Sequence, residues 1–244
     1  DRLKTRYARD MLAGMIASAL LMLLGYAALA GAAFALAKFS IDPLYVFTEW
    51  VPEVLVELSS IAKRFWSLND ANAAAVRYVR THARELGIDP HKISLLGVSA
   101  GGHTAACTEV FWNDETHIPG GADGLGRPDG LVLCYPVITG GKYAHHYSIG
   151  NLTGNREYCP ENEAYSTENY VRCDTKPMFL WQPVGDETVP SENSMLMAEA
   201  LQRNGVPFEL HLYSQGWHGI GLADGEVGSP MPHVASWFPL DVQW

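Results

Sequence analysis

Residues 92–103 read Lys-Ile-Ser-Leu-Leu-Gly-Val-Ser-Ala-Gly-Gly-His. The first seven, Lys92 to Val98, form a short apolar run bounded by the Asp89-Pro90 turn. Such a run reads as a buried strand with Ile93, Leu95 and Leu96 to cover. A helix is expected from about His103 to Phe111, so the chain must turn sharply between the two. Gly97-Val98-Ser99-Ala100-Gly101 occupies that turn as Gly-x-Ser-x-Gly. There the glycines keep side chains away from a tight bend and the serine hydroxyl stands out at the carboxyl end of the strand. The helix N-terminus behind it favours developing negative charge. The same residues also fit an ordinary glycine-rich strand-to-helix turn.

Working outward, the chain alternates. Upstream, Asn69 or Asp70 is placed to cap a helix running through Ala73, Val76, Val79 and Ala83 and ending near Gly87. Downstream, a Gly-rich loop from Gly120 to Gly130 leads to a buried strand, Leu131 to Tyr135. A long polar and aromatic segment follows from Gly140 to Lys176. Met178 to Gln182 reads as a third strand, Ser191 to Asn204 as a helix, Phe208 to Tyr213 as a fourth strand and Val234 to Trp244 as a final helix. Buried strands alternating with helices predict an α/β fold, a mostly parallel sheet of about four strands covered on both faces.

A nucleophilic serine needs a base and a group to orient that base. Both are expected just past later strands, at the edge where parallel sheets bind ligands. The third strand exits into Gly185-Asp186-Glu187-Thr188-Val189-Pro190, offering Asp186; the fourth exits into Gln215-Gly216-Trp217-His218-Gly219, offering His218. Competing groups are placed less well. Glu187 points differently from its turn, Asp174 precedes its strand, and His211 lies inside one. His145-His146 has no ligand spacing to a carboxylate and reads as a substrate-side or surface pair rather than a metal site. The tyrosines of the 140–176 segment, Tyr143, Tyr147, Tyr158, Tyr165 and Tyr170, are expected to wall the pocket with flat rings and hydroxyls.

From about Leu68 to Trp244 the sequence resembles the α/β-hydrolases of the esterase/lipase group, near the acetylxylan-esterase-like carbohydrate esterases. The resemblance lies in Gly97 to His103, Tyr135-Pro136-Val137-Ile138-Thr139, Gly185 to Ser194, and Trp217-His218-Gly219 with Gly221-Leu222. It implies Ser99 as nucleophile, His218 as general base and acid, Asp186 as its orienter, and the Ala100 N–H as an oxyanion-hole donor. Tyr143, His145, His146 and Trp217 are the candidate substrate-binding residues. The implied reaction is hydrolysis of a short acyl ester of a small alcohol or carbohydrate, with no metal and no organic cofactor. One departure stands out. Members of the group carry a His-Gly-Gly loop ahead of the serine that completes the oxyanion hole, and no His-Gly-Gly precedes Ser99 here. Two further readings therefore stay open, a catalytically silent hydrolase-like binding or anchoring module and a prolyl-peptidase-like serine hydrolase.

The first 66 residues differ in kind. Met11 to Ala37 runs 27 positions without a charge, behind Arg2, Lys4, Arg6 and Arg9. A helix of that length reaches roughly 40 Å, enough to span a bilayer with tilt. Residues 1–38 are therefore expected to be a basic start and a transmembrane or signal-anchor helix that places the remainder outside the cytoplasm. Ala35-Leu36-Ala37 alternatively suits a secretory cleavage site. Residues 39–66 read as a connecting segment, with an amphipathic helix over 53–66 expected to lie against the first strand's open edge. Residues 67–244 read as the catalytic domain, and the chain as a fragment or processed product short of N-terminal strands. The whole chain has 244 residues, 17 Lys+Arg and 27 Asp+Glu, a formal net charge of −10 that argues against nucleic-acid binding. Cys159 and Cys173, 14 positions apart, could bridge in an exported domain, although two reduced thiols are the favoured expectation; Cys107 and Cys134 fall in core elements.

Overall fold

The computed structural model describes residues 68–244 except 155, 156 and 158. All of them belong to the second of two units into which the chain divides, Phe65–Trp244. The apolar run Met11 to Ala37 and the expected 53–66 helix, with its place beside the first strand, lie outside the described residues. So does Tyr158. Among the described residues no helix is long and apolar enough to cross a membrane.

Helix α1 (Leu68–Thr81) is followed by the short α2 (Ala83–Leu86), and Gly87 ends it in the left-handed conformation at φ 71°. Because α1 already begins at Leu68, Asp70 sits in its first turn rather than capping it. Then come β1 (Ser94–Val98), α3 (Ala100–Val110), β2 (Gly130–Cys134), α4 (His146–Thr153), β3 (Met178–Pro183), α5 (Glu192–Arg203), β4 (Phe208–Tyr213), α6 (Pro232–Ala235) and α7 (Trp237–Gln243). The four strands pair in parallel in the order β1-β2-β3-β4. Three departures from the sequence reading have local causes. Helix α3 starts at Ala100 because the bend is confined to one residue, Ser99. The C-terminal helix is broken at Ser236, which puts Pro239 near the start of α7, where a missing N–H costs little. The 140–176 segment contains α4 and two 3-10 turns, Pro160–Tyr165 and Thr167–Tyr170.

Side-chain alternation along the strands builds two apolar layers. Leu131 and Leu133 of β2 with Met178 and Leu180 of β3 face Ala105 and Ala106 of α3 and Met197 and Leu201 of α5. The intervening Val132, Cys134, Phe179 and Trp181 face Val234, Trp237 and Ile220. β2 and β3 are buried throughout. β1 is not: Leu96 is 49% exposed and Val98 41%, correcting the expectation that Leu96 would be covered. Among the described residues β1 has a neighbour on one side only, so a side chain there finds less to pack against. All four cysteines are free thiols, with Cys159 half-buried and Cys173 exposed. Burial pushes the Cys107 and Cys134 thiols up to about 12, which leaves them unreactive packing groups.

One buried charge went unseen in the sequence. Glu109, on the last turn of α3, is fully covered and takes a fork of bonds from Arg127 at 2.7–3.2 Å, plus the Lys176 N–H at 2.9 Å. Burial pushes the Glu109 carboxyl up, and Arg127 and Lys176 pull it back. Arg127 also stacks over Trp112 at 4.5 Å. This cluster ties the far end of the serine's helix to the loops entering β2 and β3. Arg127→Ala would leave Glu109 buried without its partner, so we expect a loss of about 3–5 kcal/mol, read as a drop in Tm of roughly 6–20 °C.

Candidate active site

Ser99 has φ 55° and ψ −123°, a region that side-chain-bearing residues rarely occupy. Three backbone bonds hold it there: Ser99 N–H to Cys134 C=O at 3.0 Å, and the N–H groups of Val137 and Gly102 to Ser99 C=O at 3.0 and 2.9 Å. The turn demands glycine beside it. A Cβ on Gly97 would lie 2.6 Å from Gly101 O, and one on Gly102 would lie 2.5 Å from Pro136 Cβ. Gly101, in contrast, faces open space.

The aligned strand ends then bring three loops together. Val98 lies opposite Cys134, Cys134 opposite Trp181, and Pro183 opposite Tyr213, so all four strands finish along one edge. Ser99 Oγ is 2.7 Å from His218 Nε2, and His218 Nδ1 is 2.7 Å from Asp186 Oδ2. A carboxylate only accepts, so Nδ1 carries the proton, and Nε2 is left with a lone pair aimed at the serine hydroxyl. The other Asp186 oxygen accepts the N–H groups of Thr188 and Val189, both at 2.9 Å. Burial alone would raise the Asp186 pKa. The bond from His218, the two amides and the His218 charge outweigh it and hold this carboxyl below its ordinary 3.8.

Residues beyond the expected ones support this chain of bonds. Tyr135, also at positive φ, packs edge-on against His218 with ring centroids 5.1 Å apart, and accepts the Gly221 N–H at 3.3 Å. Under the aspartate loop, Ser194 Oγ donates to Gln182 Oε1 at 2.6 Å, and Gln182 Nε2 donates to Val189 C=O at 2.6 Å. Asn193 accepts the N–H groups of Ile138 and Thr139 and donates to the carbonyls of Tyr143 and Pro190. A buried polar residue at the end of a strand as apolar as β3 was the available sign of Gln182's role.

The remaining expected residues are less concentrated. Ala100 opens α3, so its N–H lies in the first turn with no intrahelical acceptor. His145 precedes α4 with Nδ1 2.8 Å from Ser148 Oγ. Burial lowers its pKa, the charge of His218 lowers it further, and that of Asp186 opposes them. His146 is exposed, and Trp217 packs across Gly228. Tyr143 lies under Lys142 Nζ, 5.0 Å from its ring centre. None of Tyr143, His146 and Trp217 hydrogen-bonds to Ser99, His218 or Asp186. A cavity of about 480 Å³ lies between the first turns of α3, at Ala100, Gly101 and Thr104, and α4, at Ile149 and Leu152; Ser99, His218 and the tyrosines are not among its lining residues. Tyr165 packs instead on the Val137 and Ile149 cluster, and Tyr170 tilts onto Phe111 at 4.6 Å. Among the described residues no three His, Cys, Asp or Glu side chains gather into a metal site.

A serine raised on a strand-to-helix bend, with histidine and aspartate delivered by later strands of a parallel sheet, defines the α/β-hydrolase class. Residues 62–222 match the alpha/beta hydrolase fold family, and the chain belongs to it. It is 40% identical over 156 residues to endo-1,4-beta-xylanase B of Butyrivibrio fibrisolvens, covering 64% of this chain and 25% of that protein. It is 30% identical to the acetylxylan esterase of Xylanibacter ruminicola, covering 60% of this chain and 29% of that protein. Among solved structures, the acetyl ester-xyloside bifunctional hydrolase of Caldicellulosiruptor lactoaceticus superposes with a TM-score of 0.60 at 39% identity, over 71% of this chain and 62% of that one. The chain thus spans about a quarter to three-tenths of the length of these two curated relatives.

The depressed Asp186 pKa sets a stability test. Its contribution is present above the unfolded value and is lost as pH falls through the lower folded value. The Tm gap between the wild type and Asp186→Asn should therefore be widest near neutrality and shrink as pH falls below about 4. Thermal melts across that range measure it.

Proposed function

We propose that this chain is a serine esterase that removes short acyl groups, acetyl foremost, from carbohydrate or small-alcohol esters. The observation that carries this is the continuous hydrogen-bonded series Ser99, His218, Asp186 at the carboxyl edge of the sheet. In the reaction so proposed, Ser99 Oγ attacks the ester carbonyl carbon while its proton passes to His218 Nε2. Asp186, ionised throughout, holds the imidazole in register and stabilises the imidazolium. The carbonyl oxygen takes up negative charge facing the Ala100 N–H and the N-terminus of α3. Collapse breaks the carbon–oxygen bond to the alcohol, which leaves with the proton from His218. Water then attacks the acyl-serine, giving its proton to His218; release of the acid returns the proton to Ser99.

The relatives favour the substrate class. One is named a xylanase, one an acetylxylan esterase and one an acetyl ester-xyloside hydrolase, so a link to acetylated xylan-type carbohydrate recurs among them. A polymeric substrate also suits the exported or membrane-anchored placement expected from Met11 to Ala37. His145, close enough to the triad to feel its charges, is the substrate-side residue we favour.

A fluorophosphonate probe should label the wild type at Ser99, as read by peptide mass, and leave Ser99→Ala unlabelled. On p-nitrophenyl acetate, Asp186→Asn should lower kcat by about 10³–10⁴ with the fold intact, because the amide supports the wrong imidazole tautomer. A folded protein that neither reacts with the probe nor hydrolyses the ester would favour the silent binding module.

A further inference from the structure

A second hollow, of about 360 Å³, lies at the opposite end of the sheet from Ser99. Ser94 opens β1, Gly130 opens β2, and Pro177 and Pro207 immediately precede β3 and β4, so all four strands line it with their amino ends. The length of β1, roughly 15 Å, separates it from the catalytic edge. Trp244 forms one side. Its ring tilts against the buried Phe179 with centroids 6.0 Å apart, yet the residue stays 40% exposed. Gly130 makes room beside it. Its φ is not in the left-handed region, and a Cβ there would lie nearest Ser94 Oγ, Pro177 O and Trp244 Cη2, at 3.2 to 3.6 Å. All three atoms belong to residues of the lining. A strand glycine that no backbone angle requires marks a place where another group comes close.

The polar groups of this hollow are held in place but not used up. Arg80 donates to Asp129 Oδ2 at 2.6 Å and to the carbonyls of Pro90, Leu125 and Arg127, which fixes both side chains. Asp129 Oδ2 also accepts the Ile93 N–H at 3.0 Å. Among the described residues Asp129 Oδ1 accepts no bond, and Lys92 Nζ, Ser94 Oγ and Trp244 Nε1 have no hydrogen-bond partner. A fixed acceptor, several donors and a flat apolar ring match the groups of a sugar. Its hydroxyls both donate and accept, and its C–H face lies on an aromatic ring. Simple ions fit less well. The Asp129 carboxylate and the net charge of −10 oppose an anion, and Lys92 opposes a metal cation. We propose that this hollow is a saccharide-binding site, separate from the ester-cleaving centre, that holds an unacetylated stretch of a xylan-type chain. That the sugar is of xylan type rests on the carbohydrate-esterase reading above. A polymer anchored here keeps its acetylated units at raised local concentration around the protein, which lowers KM without touching the chemistry.

The test titrates the 244-residue chain carrying Ser99→Ala with xylohexaose, a sugar without an ester, by calorimetry. A Kd on the order of 0.1–1 mM is expected. Trp244→Ala removes the ring, and Ser94→Phe fills the hollow from an exposed strand position. Each should weaken binding by about tenfold or more. With Ser99 restored, both variants should hydrolyse p-nitrophenyl acetate within about twofold of the wild type, since neither position is near the triad. On acetylated xylan each should raise KM by about threefold or more and leave kcat unchanged. No binding by about 10 mM xylohexaose, or binding that both variants leave intact, would overturn the site. So would displacement of the sugar by inorganic phosphate, which would show an anion site instead. A chain that binds xylohexaose, loses it in both variants and hydrolyses no ester would overturn the esterase reading and keep the saccharide site.

Discussion

The backbone of Ser99 is the constraint on which the rest of this structure depends. Positive φ at a residue with a side chain costs on the order of 1–3 kcal/mol and persists only where the surroundings over-determine it. Here they do. Cys134 and Val137 grip Ser99 from the neighbouring strand and its exit loop, and Gly102 closes the first turn of α3 beneath it. The bend also requires strand and helix to approach until a methyl group at Gly97 or Gly102 would collide with backbone or with Pro136. A relaxed Ser99 would point its hydroxyl elsewhere and free both glycines to be something larger.

Holding that bend needs a stiff platform, and the sheet supplies it through β2 and β3, which are buried on both faces. The two central strands also set the distances between the three polar residues. Because their carboxyl ends are in register, loops only a few residues long place Asp186 and His218 opposite Ser99. The aspartate loop is then pinned from below by Gln182, Ser194 and Asn193, each buried and each bonded. Satisfied buried bonds of this kind resist rearrangement, since a broken one strands a polar group away from water. At the opposite end of α3, the Glu109 and Arg127 pair performs the same anchoring with charge.

Elements with strong local signals were legible. Phe208 to Tyr213 is a strand at the expected boundaries, and Gly-x-Ser-x-Gly sits on the expected bend. Boundaries that depend on a single residue's dihedral were less so. The helix after the serine begins three residues sooner than its apolar pattern implies, because one positive φ completes the turn. Partners distant in sequence were not legible at all. Nothing in the sequence joins Glu109 to Arg127, 18 positions on, and Tyr135 read as the last residue of a strand. The tyrosines of the 140–176 segment read as a pocket wall, yet Tyr165 packs half-buried on the Val137 and Ile149 cluster and Tyr170 tilts onto Phe111.

The sequence by itself determined the class of fold, since the alternation of buried runs with helical spacing is a local pattern in the chain. It also determined which serine, aspartate and histidine to consider, because each follows a strand in a set order. Only the tertiary structure decided that Ser99 and His218, 119 positions apart, lie at hydrogen-bond distance, and that Gly101 borders a cavity rather than a neighbouring atom. Contact between distant residues depends on strand register and helix packing, which are properties of the assembled layers and are not written in any one segment.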